Sequence, residues 1–178
     1  VKPVIELYTS EGCSSCPPAD RWLSQLKADP SAVALAFHVN YWDRLGWRDR
    51  FSTPGFTRRQ AEQQAVNGAR YSYTPQVVVN GRDRPDWPRL ALPVALSSAP
   101  LVDLAVSGDG RQFDASVQAR AGAPSQLAAY WAVTEDGHRS AVTAGENAGE
   151  KLAHDFVVRE LHRVPPWTGA TITLKYTP

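Results

Sequence analysis

The stretch Thr9-Ser10-Glu11-Gly12-Cys13-Ser14-Ser15-Cys16-Pro17-Pro18 contains the two cysteines of the 178-residue chain, separated by two serines. An apolar, strand-like run, Val4-Ile5-Glu6-Leu7-Tyr8, comes directly before it, and an amphipathic run over residues 19–27 follows. A C-x-x-C pair between a buried strand and a helix is typical of a redox-active pair. We therefore interpret Cys13 and Cys16 as the catalytic residues.

The predicted helix start explains why cysteines at these positions would be reactive. Backbone N–H groups at a helix start lack partners and carry partial positive charge, which stabilises a thiolate. In such a place the pKa of a thiol falls from about 8.5 to roughly 3.5–7.5. By analogy, Cys13 is the attacking thiol and Cys16 the resolving thiol. Because Pro17 and Pro18 lack N–H groups, we expect only a moderate lowering of the thiol pKa.

This interpretation has a structural requirement. The sulfur atoms near residue 13 have to lie at the mouth of the helix, where solvent and the sulfur of a substrate can reach them. We therefore expect an accessible cysteine pair at the start of a helix.

The composition excludes several classes of protein. Hydrophobic residues make up 43% and charged residues 21% of the chain, as in ordinary globular proteins. The formal net charge of +1, without basic runs, argues against a nucleic-acid partner. No apolar run is long enough to span a membrane. Two cysteines are too few for a disulfide scaffold, so their closeness indicates chemistry.

The sequence contains no methionine, so its initiator is missing. Either a leader was removed or the chain was trimmed, and a cleaved secretory signal would bring the cysteine pair into an oxidising compartment. We therefore expect a periplasmic or secreted protein.

The first part of the chain alternates between strands and helices. Strands are predicted over residues 4–9, 32–39 and 76–79, with helices over 16–28, 57–67 and 86–96, the last bent at Pro93. The short connection between the first two strands favours a parallel pair. Asn80-Gly81 predicts a hairpin with a strand over 82–84.

The pattern changes after Pro100. Alternating runs predict short strands over residues 101–106, 113–117, 127–134, 156–161 and 170–176. Such a series of short strands suggests an antiparallel β-sandwich-like domain. We therefore predict an α/β protein with a first domain over 1–98 and a mainly antiparallel β domain over 99–178.

Four stretches resemble DUF1223, a bacterial family of uncharacterised proteins classed as thioredoxin-like. They are residues 6–20 around the cysteines, Phe37-His38-Val39-Asn40-Tyr41-Trp42-Asp43 with Gly46-Trp47, residues 73–81, and Gly145-Glu146-Asn147. Asn40 departs from the pattern, where an aspartate is expected. The resemblance implies a thioredoxin-like domain, an added β domain and an exported protein. It carries no established activity.

The element order of residues 1–98 also resembles that of thioredoxin. In that fold a proline before the third strand lies opposite the cysteine pair, usually after a cis bond, and Pro75 stands at that point. The resemblance thus implies a cis Thr74–Pro75 bond and a Thr74 backbone presented to substrate. The alternative is a plain proline at the start of a strand.

His38 ends an apolar strand and has several interpretations. A lone histidine there is most often packed or hydrogen-bonded in a core. It is also a candidate proton carrier for thiol exchange. As a third ligand, His38 would complete with Cys13 and Cys16 a soft site suited to Cu(I).

The remaining candidates are aromatic or scattered. Trp42 and Trp47 lie in a loop after the second strand and are candidates to line a substrate groove. The alternative is that they simply pack under that loop. No role is assigned to His138, His154 or His162, which lack metal spacing. For Glu146 and Asn147 an exposed turn is favoured over contact with the first domain.

These observations leave three functional hypotheses. The first is a thiol–disulfide oxidoreductase acting on protein or small-molecule thiols and disulfides, with no cofactor besides its own cysteine pair. The second is a Cu(I) carrier. The third is a binding module with a structural disulfide, which a buried, unreactive cysteine pair and an exposed apolar patch after residue 100 would favour.

Overall fold

A computed structural model describes residues 2–28, 30–91 and 99–178 of the chain. It contains helices α1 (Pro17–Ser24) and α2 (Pro54–Val66), and strands β1 (Val4–Thr9), β2 (Val33–His38), β3 (Gln76–Val79), β4 (Arg82–Asp83), β5 (Val102–Gly108), β6 (Phe113–Ala119), β7 (Gln126–Glu135), β8 (His138–Ala141), β9 (Lys151–His154), β10 (Val157–Thr168) and β11 (Thr171–Tyr176). The predicted mixed α/β class is confirmed.

The described residues form two compact units. The cysteine unit comprises residues 2–91 and 134–159, and the strand unit comprises residues 99–133 and 160–178. The predicted domain boundary between residues 98 and 99 borders residues 92–98, which lie outside the described residues, and stays a prediction.

The central sheet has the strand order β4-β3-β1-β2-β10-β7. β1 and β2 pair in parallel from Val4–Val33 to Thr9–His38, as predicted, and β3 pairs antiparallel with β1. The predicted hairpin is confirmed, with Asn80 and Gly81 both at positive φ between β3 and β4. β10 extends the sheet in parallel to β2 through the pair Val157–Ala36.

Alternation along β1 separates the two faces of this sheet, because successive side chains of a strand point to opposite sides. Ile5 and Leu7 join a core with Trp22 and Leu23 of α1 and with Leu26 of the 3-10 turn that follows it. Tyr8 lies on the opposite face, where it stacks on Phe37, and Phe37 in turn meets Phe56 of α2 edge-on. The sheet is therefore covered by α1 on one face and α2 on the other.

Several boundaries differ from the sequence predictions. α2 begins at Pro54, three residues before the predicted start, because Thr53 caps it by accepting from the Phe56 N–H. The helix predicted over 86–96 is only a short 3-10 turn, Trp87–Arg89, in its described part, and Pro93 lies outside the described residues. The two-stranded sheet of β8 and β9 was not predicted.

The strand unit contains a three-stranded antiparallel sheet of order β11-β6-β5. Its core is formed by Ala115, Val117 and Leu174, with Trp131 and Trp167 packed against them. None of the helices in the described part of the chain is long and apolar enough to cross a membrane.

Candidate functional site

The two cysteines form a disulfide at the start of α1. The Cys13–Cys16 bond joins Cα atoms 5.4 Å apart, and Cys16 is the N-cap residue of the helix. The Cys16 carbonyl accepts from the N–H groups of Ala19 and Asp20 at 2.9 and 3.1 Å. The helix start is therefore where the sequence predicted it, and its first two helical residues are prolines that offer no N–H group.

The Thr74–Pro75 peptide lies against Cys13. The bond is cis, as the resemblance to the thioredoxin order implied. The Thr74 hydroxyl donates to Cys13 Sγ at 3.3 Å, and the Ser15 hydroxyl lies 3.5 Å from both Cys13 Sγ and the Thr74 carbonyl oxygen. Two hydroxyl groups therefore approach the sulfur that was predicted to be the attacking thiol.

Both cysteines are completely buried, with 0% of either residue exposed. The expectation of sulfur atoms open to solvent is therefore wrong for this structure. One reason is the close approach of the loop after β2: a Cβ on Gly12 would lie 3.0 Å from the Trp42 Cβ. Because Gly12 has no side chain, it makes room for Trp42.

Trp42 and Trp47 are both half-buried and tied to the cysteine motif. The Trp42 indole N–H donates to the Thr74 hydroxyl at 2.8 Å, and the Trp47 indole N–H donates to Glu11 Oε2 at 2.7 Å. Trp42 is thus bound to a residue that contacts Cys13, and Trp47 to a residue of the cysteine motif itself. Their predicted role in binding substrate stays a prediction.

The segment Gly145–Gly149 also contacts the cysteine motif. Glu146 accepts from the Ser14 N–H at 3.1 Å and hydroxyl at 2.8 Å, which lowers the pKa of the Glu146 carboxyl. Asn147 is buried and donates to the carbonyl oxygens of Glu11 and Cys13 at 2.8 and 3.0 Å. The favoured interpretation of an exposed turn was therefore wrong, because a side chain far away in sequence satisfies the backbone carbonyls of the motif.

Beneath the motif lies a cluster of buried titratable side chains. His38 Nδ1 is 2.6 Å from Asp49 Oδ2, and His154 Nε2 is 3.3 Å from Glu11 Oε1. The two imidazole rings meet edge-on with centroids 4.9 Å apart. We call these residues, together with Asp20, the buried cluster. His38 is thus hydrogen-bonded in the core, as the commonest reading of a lone strand histidine predicts.

Charge pairing and burial compete in this cluster. Burial would lower the pKa of His38, but the charge and hydrogen bond of Asp49 outweigh it and raise that pKa. Burial would raise the pKa of Asp49, but His38 and two backbone N–H groups hold it below its ordinary value. The pKa of Glu11 is also lowered, because His154, Ser140 and Trp47 outweigh burial.

Asp20 behaves differently from the other two acids. It is the fourth residue after Cys16 and accepts a hydrogen bond from the Thr9 hydroxyl at 3.2 Å. Burial raises the pKa of the Asp20 carboxyl, and the charges of His154 and His38 do not compensate for it. Asp20 is therefore the acid of the cluster most inclined to hold a proton.

The described residues contain no group of three His, Cys, Asp or Glu side chains arranged to hold a metal ion. Cys13 and Cys16 are bonded to each other, and the Nδ1 of His38 is engaged by Asp49. The structure therefore does not bring Cys13, Cys16 and His38 together as the Cu(I) ligand set that the second hypothesis requires.

The profile of a family described as "Protein of unknown function (DUF1223)" matches residues 4–178. The chain belongs to the DUF1223 family. No curated protein matches it in sequence. Among solved structures, it is similar to protein AGR_C_4864 from Agrobacterium tumefaciens, with 28% identity over 99% of this chain and 78% of the other and a TM-score of 0.78. It is also similar in fold to HBP35 of Porphyromonas gingivalis, with 13% identity over 98% of this chain and 62% of the other and a TM-score of 0.61.

Sequence reasoning missed two contributors to the site of this DUF1223 protein. His154 and Asp49 carried no recognisable spacing, since their partners are distant in sequence. The Gly145-Glu146-Asn147 stretch did carry a signal, because it was one of the four stretches that resembled DUF1223. Only the fold shows that it reaches the cysteine motif.

Proposed function

We propose that this DUF1223 protein is a thiol–disulfide oxidoreductase of thioredoxin-like fold, acting through Cys13 and Cys16 on protein or small-molecule thiols. The observation that carries the proposal is the contact between the cysteine pair and the Thr74–Pro75 peptide, which comes directly before β3. The disulfide lies at the start of α1, and the Thr74 hydroxyl donates a hydrogen bond to Cys13 Sγ. The cis Thr74–Pro75 peptide lies beside it. A hydroxyl that donates to this sulfur favours its thiolate form, and the thiolate is the form that exchanges with other sulfur atoms.

The size of the disulfide ring supports a chemical role over a structural one. In the chain-entropy view, a cross-link stabilises a protein by restricting its unfolded state, and the effect grows with loop length. A loop of only four residues gives about 2 kcal/mol, compared with about 4.7 kcal/mol for a 100-residue loop. The bond between Cys13 and Cys16, three positions apart, is thus a weak clamp.

The proposed reaction exchanges one disulfide for another. A substrate thiolate attacks Cys13 Sγ, the Cys13–Cys16 bond breaks, and its electron pair goes to Cys16 Sγ. A second substrate thiolate then attacks the substrate sulfur of the mixed disulfide and releases Cys13 as a thiolate. The reverse sequence reduces a substrate disulfide, and the reduction potential of the pair decides the direction.

Because both cysteines are buried, exchange also requires a local opening. Trp42 is held by one hydrogen bond, to the Thr74 hydroxyl, and Asn147 by two, to the backbone carbonyls of Glu11 and Cys13. Openings of such loops have small free energies compared with global unfolding. A substrate therefore reaches Cys13 when the indole or the Gly145–Gly149 segment moves aside.

The test is a redox titration combined with an exchange assay. The reduction potential of the Cys13–Cys16 pair is measured against glutathione, and insulin reduction is measured for the wild type and for Cys13→Ser. We expect a potential between roughly −270 and −120 mV and an activity that Cys13→Ser abolishes. If wild type and Cys13→Ser reduce insulin at the same rate, whether or not that rate exceeds the uncatalysed one, the proposed oxidoreductase activity of Cys13 is excluded.

The second candidate is a binding module with a structural disulfide. Two observations favour it. Both cysteines are 0% exposed, and the apolar residues Leu104 and Val106 of β5, with Leu101 directly before that strand, are 64%, 56% and 47% exposed. A potential below about −300 mV, with thiols that resist alkylation in the reduced native protein, would support this candidate.

We also propose a periplasmic or secreted location. The proposal is supported by the closed Cys13–Cys16 disulfide, since such bonds persist in oxidising compartments. Fractionation of the cells that produce the protein tests it. Recovery in the cytosolic fraction, with both cysteines reduced, would contradict it.

A further inference from the structure

β5 forms one edge of the three-stranded sheet in the strand unit, whose order is β11-β6-β5. Among the described residues it pairs with β6, from Val102–Ala119 to Gly108–Phe113. All residues of β5 after Val102 are exposed, and its one charged residue is Asp103. An exposed apolar edge is a template for another strand, and natural proteins usually protect it with several charges, prolines or a covering segment. β5 has little of this protection.

The opposite edge of the sheet, β11, is protected. This strand carries Lys175, and its apolar residues Ile172, Leu174 and Tyr176 are half-buried or buried. Tyr176 also stacks on Trp131, with ring centroids 5.4 Å apart. The difference between the two edges makes β5 the edge that is open to a partner.

Leu104 and Val106 of β5 lie on the core face of this sheet. They are directly opposite Val117 and Ala115 of β6, and opposite residues of an antiparallel pair project from the same face. Val117 and Ala115 are 5% and 3% exposed, whereas Leu104 and Val106 are 64% and 56% exposed. The apolar face therefore continues onto β5 beyond the part that the molecule itself covers, which is typical of an interaction site.

The hydrogen bonds at the ends of β5 show which of its backbone groups are directed to a partner. The Arg120 N–H donates to the Leu101 carbonyl at 2.8 Å, and the Asp109 N–H donates to the Gln112 carbonyl at 3.2 Å. Hydrogen-bonded and non-hydrogen-bonded pairs alternate along antiparallel strands. The odd-numbered residues of β5 therefore bond to β6, and the even-numbered residues direct their N–H and carbonyl groups outward.

We propose that β5 pairs antiparallel with β5 of a second copy of this chain, about a two-fold axis through Ala105. The two three-stranded sheets then form one continuous sheet across the dimer. Leu104 of one copy lies opposite Val106 of the other, so the two exposed apolar surfaces cover each other. The even-numbered residues of both strands face one another, which gives their outward N–H and carbonyl groups partners. Interfaces with this symmetry are the commonest in soluble dimers.

The sequence of β5 favours this register and a second copy as the partner. Ala105 is the middle residue, so an axis there pairs all seven residues of the strand. Asp103 of one copy then lies opposite Ser107 of the other, whose hydroxyl can donate to the carboxylate. An axis through Asp103 would place two carboxylates opposite each other, which is unfavourable. β5 is thus complementary to itself in shape, backbone hydrogen bonding and charge.

The inference goes beyond the proposed function, because no step of it involves the cysteine pair. A dimer formed through one pair of strands lies at the low end of interface sizes and is expected to dissociate on dilution. Its failure would leave the redox proposal unchanged, and failure of the redox proposal would leave the dimer unchanged.

The first experiment is sedimentation velocity of the full chain over concentrations from about 1 to 300 µM, where weak dimers form and dissociate. Wild type is compared with Val106→Lys, which places a charge on the apolar face of β5, and with Thr173→Lys, an exposed change on the opposite edge strand β11. We expect wild type and Thr173→Lys to change from monomer to dimer with concentration. The dissociation constant of Val106→Lys should be at least tenfold higher, because lysine on an edge strand opposes pairing.

Two outcomes of this experiment would overturn the inference. A wild type that stays monomeric throughout would leave β5 to a different protein or to another segment of this chain. A dimer that is equally strong in Val106→Lys would use a different surface.

The second experiment tests the register by cross-linking and decides the matter where Val106→Lys does not fold. In the proposed dimer, the two copies of residue 105 form a non-hydrogen-bonded pair with Cα atoms about 4.5 Å apart, a distance that a disulfide can bridge. Ser107→Cys is the matched control, because its two copies are offset by four residues, or about 13 Å along the strands. We expect Ala105→Cys to form a disulfide-linked dimer at least tenfold faster than Ser107→Cys in a glutathione buffer. Equal rates, or faster linking of Ser107→Cys, would overturn the proposed pairing.

Discussion

Single side chains decide how the Cys13 sulfur behaves, and Thr74 is the clearest case. Its hydroxyl donates to Cys13 Sγ and accepts from the Trp42 indole, so the O–H is oriented toward sulfur by a second hydrogen bond. At the start of most helices, backbone N–H groups would stabilise a thiolate. Because prolines occupy the first two helical positions of α1, hydroxyl donors have to provide that stabilisation for Cys13. We therefore expect the Thr74 hydroxyl to stabilise the Cys13 thiolate in the reduced protein.

Thr74→Val keeps the shape of the side chain and removes the hydroxyl. A hydrogen bond to a charged group contributes roughly 1.5–3 kcal/mol, and about 1.4 kcal/mol corresponds to one pKa unit. We expect the pKa of the Cys13 thiol in the reduced protein to rise by about one unit or more. The measurement is the pH dependence of iodoacetamide alkylation. Thr173→Val, an exposed threonine of β11, is the control, and equal profiles for both variants would contradict the expectation.

Gly12 provides a second residue-scale prediction. Gly12→Ala introduces a Cβ 3.0 Å from the Trp42 Cβ, and we expect a loss of about 1–3 kcal/mol in the free energy of unfolding, as for other overpacked sites. Gly55→Ala is the matched change, because its Cβ would have ordinary contacts in the first turn of α2. There alanine should stabilise the protein by roughly 0.5–1 kcal/mol. Urea denaturation measures both, and equal effects would be inconsistent with the close approach of Trp42.

At the scale of elements, local patterns predicted the strands and helices around the site well. β1 and β3 have the predicted bounds because their apolar runs are short and end at turn residues. β8 and β9 were missed, since each has only four residues and carries little apolar signal: β8 has no buried position, and β9 buries only Leu152 and His154. His154 was missed with β9, and no residue near it in sequence indicates Glu11 or Asp20 as its partners.

The Gly145–Gly149 segment gives the prediction that belongs to this scale. Asn147→Ala removes two hydrogen bonds to the motif, each worth about 0.5–1.5 kcal/mol, and the local opening should become about tenfold more frequent. We expect reduction of the disulfide by dithiothreitol to accelerate by a similar factor. Glu150→Ala, an exposed change in the adjoining residues, is the control. An unchanged rate in Asn147→Ala would show that this segment does not limit access to Cys13.

The whole molecule adds a dependence on pH through the buried cluster. His38 contributes most directly, because its pKa in the folded protein is raised above the unfolded value by Asp49 despite burial. The folded state then binds a proton more tightly than the unfolded state. The resulting stability is fully present below the unfolded pKa of about 6.5 and is lost as pH rises through the folded pKa. Asp49 and Glu11, whose pKa values are lowered, act on the acid side, where stability falls as these carboxylates are protonated.

His38→Gln tests this balance. We expect the wild-type free energy of unfolding to decline as pH rises above about 6.5, and the decline to be absent in His38→Gln, which has no proton to lose there. Urea denaturation with the disulfide intact, at half-unit intervals from pH 5.5 to 9, measures the slope. His162→Gln is the control, because this histidine is half-exposed in the strand unit and outside the buried cluster. A parallel decline in wild type and His38→Gln would mean that another group carries the linkage. Asp20 is then the candidate, because its raised pKa predicts a loss of stability in the same direction that begins at lower pH. A decline that disappears in Asp20→Asn would identify Asp20, and one that persists would exclude it.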